Sequence, residues 1–116
     1  MKTSSRGYVD TLNKEAIGEF IRITYDGYKN TVGDKFGKSV PAIFTDEPQF
    51  AQNDTKMFSH DLTDTSIVWT HDFADTYKEE YGDDIRDFLP ELIWELPNGE
   101  PSLARYRYHE HSCQRF

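Results

Sequence analysis

Positions Ile17, Phe20, Ile21, Thr24, Tyr28 and Val32 fall on one face at helical period. Asn13 stands before them as an N-cap, and Leu12 can pack on Ile17 as a hydrophobic staple. Gly33 is placed to close the helix as a left-handed C-terminal cap. After a turn-rich connection from Asp34 to Ser39 the period is lost. Val40-Pro41-Ala42-Ile43-Phe44 is a short apolar run, which predicts a strand covered on both faces, as in a parallel sheet. It stops on Thr45-Asp46-Glu47-Pro48. Two carboxylates thus stand at the C-terminal end of a strand, where α/β enzymes place their chemistry.

A long polar stretch from Gln49 to Thr65 follows, and long loops at strand ends often carry function. Ser66 to Thr70, with Ile67, Val68 and Trp69, reads as a second short strand or extended segment. Thr70 can cap a helix whose Phe73, Tyr77 and Tyr81 share a face, with Gly82 ending it. Asp84 starts a further turn set with Ile85, Phe88 and Leu89 inward. Pro90 pushes Leu89 out of the α region and opens a helix through Leu92, Ile93 and Trp94. Asn98-Gly99 is a turn. The last helix is expected to open at Pro101 and bury Leu103, Tyr106, His109, Cys113 and Phe116. With an apolar end residue on that face, the chain reads as cut in mid-architecture. Helix, loop, strand and acidic end make half of an α/β repeat, so the fold class expected is α/β.

Composition narrows the partners. The net charge of -8 disfavours nucleic acid, which needs a basic face, and anionic membrane surfaces. A neutral substrate such as a carbohydrate meets no such penalty. Aromatic residues reach 15%, which argues against disorder. A single cysteine, Cys113, excludes an internal disulfide and leaves the compartment open. No apolar run approaches a transmembrane span, and Met1 to Gly7 has no signal-peptide core. Asn53-Asp54-Thr55 fits a glycosylation sequon, a pattern common by chance.

Several motifs come in a fixed order: Tyr8-Val9-Asp10-x-Leu12-Asn13, Phe20-Ile21-x-x-Thr24-Tyr25-x-x-Tyr28, Phe36-Gly37-Lys38 and Ile43-Phe44-Thr45-Asp46-Glu47-Pro48. Trp69-Thr70-x-Asp72-Phe73, Tyr81-Gly82-x-Asp84-Ile85, Leu89-Pro90 and Arg105-Tyr106-x-Tyr108-His109 continue the series. Together they resemble the catalytic region of large bacterial glycoside hydrolases, of the kind grouped with α-L-rhamnosidases and family-2-like sugar-binding hydrolases. The similarity runs over nearly the whole chain from Tyr8, with one departure at Asp83, where an aromatic residue is expected. It implies a (β/α)8-barrel enzyme, of which residues 1–116 would be one partial domain, helix-rich with few short parallel strands. Such a barrel takes about 250 residues, so the remainder is expected in a longer chain.

Pleat alternation separates the two acids. Glu47 shares a face with Thr45 and Ile43, and Asp46 with Phe44 and Ala42. The smaller, polar Thr45 face suits the mouth of a lumen. Glu47 is therefore the candidate general acid/base, and Asp46 a residue that holds the substrate loop. The bland alternative is that both acids only stop a strand at Pro48. Glycoside hydrolysis needs two carboxyl groups flanking the bond, and the second is expected from another strand, beyond Phe116. Trp69 is a candidate sugar-stacking platform, or else a core residue. His60-Asp61 and His71-Asp72 invite a metal-dependent alternative with Glu47, His60 and His71, but their spacing lacks the short pairs that mark zinc sites. His109 and His111 point to different sides of a helix. No metal or cofactor is assigned. A non-catalytic carbohydrate-binding or interaction module is the remaining alternative.

Overall fold

The computed structural model describes residues 9–46 and 67–116. The chain divides into two compact units, Met1–Ala51 and Gln52–Phe116.

The first unit is built on a helical run. Helix α1 spans Lys14–Ile21, a wider π-type turn spans Arg22–Asp26, and α2 spans Gly27–Val32. Asn13 caps α1 as expected: its Oδ1 accepts from the amides of Glu15 and Ala16 at 3.0 and 3.3 Å. These are two of the four amides that a helix start leaves without partners. Gly33 is not the left-handed cap. Its φ of -58° continues into a 3-10 turn, Gly33–Lys35, and the left-handed glycine comes later, at Gly37 with φ +74°. None of the residues in α1 or α2 is buried, and Phe20, Ile23 and Tyr28 are exposed.

The expected α/β architecture is contradicted. Among the described residues there is no β-strand; the only pairing is an isolated parallel bridge between Phe36 and Val40. Residues 41–46 have no regular structure, and Ile43 and Phe44, expected to be buried, are 54% and 87% exposed. The reason is combinatorial. A strand satisfies its amides and carbonyls only against neighbours, and the described residues offer it none. A partial (β/α)8 barrel is therefore not the fold of these residues. Of the second segment, expected as a short strand or extended segment, residues 67–70 form no strand, although Val68 and Thr70 are buried.

The second unit has a core. Helix α3, Phe73–Tyr81, buries Phe73, Ala74 and Tyr77. Asp72, rather than Thr70, precedes it as the N-cap residue, and its side chain makes no capping bond. Gly82 ends α3 with φ +83°, as expected. A Cβ at Gly82 would meet no heavy atom within 4 Å, so only backbone strain opposes a side chain there. Gly82→Ala is accordingly expected to cost about 1–2 kcal/mol, read as a lower denaturation midpoint at unchanged slope.

Asp84 then caps a 3-10 turn, Ile85–Phe88, by accepting from the Arg86 amide at 3.0 Å, and Ile85 is fully buried. Helix α4 follows at Leu89–Ile93. Leu89 is α-helical (φ -51°, ψ -38°), not displaced from it as its place before Pro90 predicts. Trp94 lies outside the helix as its extended C-cap and is exposed. Helix α5, Leu103–Arg115, is capped by Ser102 Oγ, which accepts from the Arg105 amide at 3.0 Å.

The buried face of α5 differs from the one expected. Leu103, Tyr106, His109, Cys113 and Phe116 are all exposed, and Ala104, Tyr108, His111 and Ser112 face inward. Small Ala104 and Ser112 let α5 approach, and Tyr108 fills the gap with its ring centroid 5.4 Å from that of Phe73. Tyr108 Oη donates to the Val68 carbonyl at 2.7 Å, which ties residues 67–70 to α5. Arg105 fastens α4 to α5 by donating from Nε to the Glu91 carbonyl at 2.8 Å and from Nη2 to the Trp94 carbonyl. These are carbonyls at the end of a short helix that lack intrahelical partners.

Candidate functional site

Of the residues singled out from sequence, Glu47 and His60 lie outside the described residues. Asp46 is exposed at the end of the irregular segment 41–46. Trp69 is half-buried, with its ring 5.1 Å from that of Phe73, so it packs against the core of the second unit. Asp46 and Trp69 belong to different units. His71 is exposed, with Nδ1 3.5 Å from Thr70 Oγ1 and 4.0 Å from Asp72 Oδ1. Among the described residues no group of three His, Cys, Asp or Glu side chains is arranged to hold a metal ion. Asp83, the departure from the motif series, pairs with Arg107 at 3.2 Å.

A dense polar cluster, which hydrophobic periodicity does not mark, joins α3 to α5. His111 is 4% exposed, enclosed by the rings of Phe73, Tyr77 and Tyr81 in edge-on contact. Both ring nitrogens have partners on α3: Nε2 is 2.9 Å from Thr76 Oγ1, and Nδ1 is 2.7 Å from Glu80 Oε2. Thr76 Oγ1 also accepts from Arg115 Nη1 at 2.7 Å, and Arg115 Nη2 reaches Asp72 Oδ1 at 2.7 Å. A chain of five side chains, Glu80, His111, Thr76, Arg115 and Asp72, thus stitches α3 to α5. Its signal was present in the spacing: Thr76 and Glu80 are four apart on one helix, as are His111 and Arg115 on the other.

Electrostatics follow from these contacts. The hydrogen bond from His111 holds the Glu80 carboxyl below the usual carboxylate range. Burial opposes charge on Asp72, but the Arg115 guanidinium outweighs it, and the carboxyl titrates below its ordinary value. The Arg86 guanidinium holds Asp84 down to about 2. Burial pushes the Tyr77 and Tyr81 hydroxyls up, and the Tyr108 hydroxyl to about 12. The Tyr108 shift has a consequence for alkaline stability. Above the ordinary tyrosine value of about 10 the unfolded chain loses this proton while the folded chain keeps it. Stability present below pH about 10 is therefore expected to fall as pH rises toward 12, in step with tyrosinate absorbance. Tyr108→Phe should flatten that fall in pH-dependent denaturant melts.

Hydroxyl, imidazole and carboxylate in the order Thr76, His111, Glu80 repeat the sequence of a hydrolytic triad. Here the imidazole is buried, and the hydroxyl also lies 3.2 Å from the Asp72 and Phe73 carbonyls of its own helix. The cluster holds two helices together. Comparison of the chain with protein-family models, curated proteins and solved structures finds no match.

Proposed function

We propose that this chain carries part of the machinery of O-glycosyl hydrolysis, with Glu47 as the general acid/base and a neutral carbohydrate as substrate. The observation that supports this reading is the ordered motif series from Tyr8 to His109, centred on Thr45-Asp46-Glu47-Pro48. One residue, Thr45, separates the acidic pair from Ile43 and Phe44, which are both exposed. The chemistry requires a second carboxyl group about 5 Å away for retention of configuration, or further for inversion. That partner is assigned to chain outside Thr45–Pro48. Asp46 would hold the substrate loop, as acidic residues do by accepting from nearby backbone amides. Trp69 is the weaker assignment: its packing on Phe73 favours a core role over sugar stacking.

The test is hydrolysis of a panel of aryl glycosides by the polypeptide that carries Glu47, compared with its Glu47→Gln variant. Turnover that Glu47→Gln abolishes supports the reading. No turnover of any glycoside, or turnover indifferent to Glu47, overturns it.

A further inference from the structure

We propose that the Thr76 hydroxyl is a two-way adapter that keeps the lock between α3 and α5 closed whether His111 is neutral or protonated. The inference rests on the count of donors and acceptors in the second unit and is independent of glycoside chemistry.

Glu80, held as a carboxylate, can only accept, so the proton on the 2.7 Å contact belongs to His111 Nδ1. In the neutral ring Nε2 is then an acceptor, and the Thr76 hydroxyl 2.9 Å away donates to it. The hydroxyl oxygen accepts from Arg115 Nη1 in turn. The direction of the relay is thereby fixed: guanidinium to hydroxyl, hydroxyl to imidazole, imidazole to carboxylate.

Proton uptake at Nε2 reverses one link. Nε2–H becomes a donor, and the Thr76 oxygen has two lone pairs, enough for it and for Arg115. The hydroxyl proton needs a new acceptor, and the carbonyls of Asp72 and Phe73 both stand 3.2 Å away. A turn about one C–O bond therefore leaves both the imidazole Nε2 and the Thr76 hydroxyl with partners in either state. Without that hydroxyl the imidazolium would bury an N–H against nothing, which is costly.

The surrounding charges are accounted for. From α3 the ring faces Glu80, Tyr77 and Tyr81, with Asp72 joined through Arg115. From α5 come Arg115, Glu110, which accepts from Tyr81 Oη at 3.2 Å, and Arg107, which lies 5.1 Å over the Tyr81 ring. In the turn after α3, Arg86 is committed to Asp84. Glu80 and Asp72 both stay ionised through the range where histidine titrates, so they do not mimic the switch.

Two measurements on the whole chain test the lock. Long-range ¹H–¹⁵N spectra recorded across the His111 titration should show the neutral ring protonated at Nδ1. The Nε2-protonated tautomer would overturn the proposal. Thermal melts of wild type and Thr76→Val at one pH above and one below the His111 titration seen in those spectra should then show the variant's deficit in Tm widening by about 4–8 °C at the lower pH. The same comparison in a His111→Gln background should show no widening. A deficit equal at both pH values in the native background, or one that still widens without His111, would overturn the lock. If Thr76→Val does not fold, Thr76→Ser decides: it keeps the hydroxyl and should track wild type at both pH values, and a widening deficit there would contradict the mechanism.

Discussion

Glu47→Gln is expected to lower hydrolysis of an unactivated glycoside by about 10²–10⁴-fold, the contribution that a positioned general acid/base makes. The amide is nearly isosteric with the acid, so side-chain size is almost unchanged while the transferable proton is lost. The reasoning is chemical. An alkoxide is a poor leaving group, and the glycosidic oxygen must be protonated as the bond breaks. The loss should fall on kcat more than on KM, because the proton matters in the transition state and little in substrate binding. Asp46→Asn should do less, since Asp46 is assigned to hold the loop.

Phe73→Ala is expected to cost the second unit about 3–5 kcal/mol, the range for deleting a buried aromatic side chain. Phe73 is completely buried, and its ring meets those of Trp69, Tyr108 and His111 with centroids 5.0–5.4 Å apart. Removing it takes one wall from the His111 enclosure and the surface on which Trp69 rests. Small domains have stabilities at the low end of about 5–15 kcal/mol, so a loss of this size leaves little cooperative structure. Phe44→Ala removes the same side chain from a position that is 87% exposed and is expected to stay within about 0.5 kcal/mol of wild type. The pair, measured by circular-dichroism melts, separates burial from residue type.

Local signals along the chain were legible in part: Gly33 and Thr70 are not the caps expected, and Leu89 stays helical before Pro90. Asn13, Gly82 and Asp84 act where the sequence places them, because capping is a property of a few adjacent backbone groups. The Ile17-to-Val32 period does form helix. Strand assignment failed at Val40–Phe44 because an apolar run has no pairing of its own, and a sheet needs other chain segments to exist.

The misreading of α5 is more instructive. Counting only large apolar residues selects Leu103, Tyr106 and Phe116, yet the helix buries Ala104, Tyr108, His111 and Ser112. Two small residues permit close approach, and the polar ones are matched: Ser112 Oγ donates to the Tyr108 carbonyl at 2.8 Å, and His111 is satisfied from α3. Burial of a polar residue is affordable once its hydrogen bonds are met, and the partners of His111 lie more than thirty positions away in sequence. Hydrophobicity alone cannot register them. Asp46 and Glu47 were singled out by an expected strand end and by the motif series; residues 41–46 form no strand, so the motif series alone now supports that proposal.

The leaving-group dependence of Glu47→Gln tests the central assignment most directly. Rates are to be compared for glycosides of alkyl alcohols, which need protonation to depart, and of nitro-substituted phenols, which depart readily as anions. A general-acid role predicts a loss of about 10²-fold or more with the alkyl leaving group and a much smaller loss with the activated one. Equal loss with both, or wild-type rates with the alkyl glycoside, would contradict it.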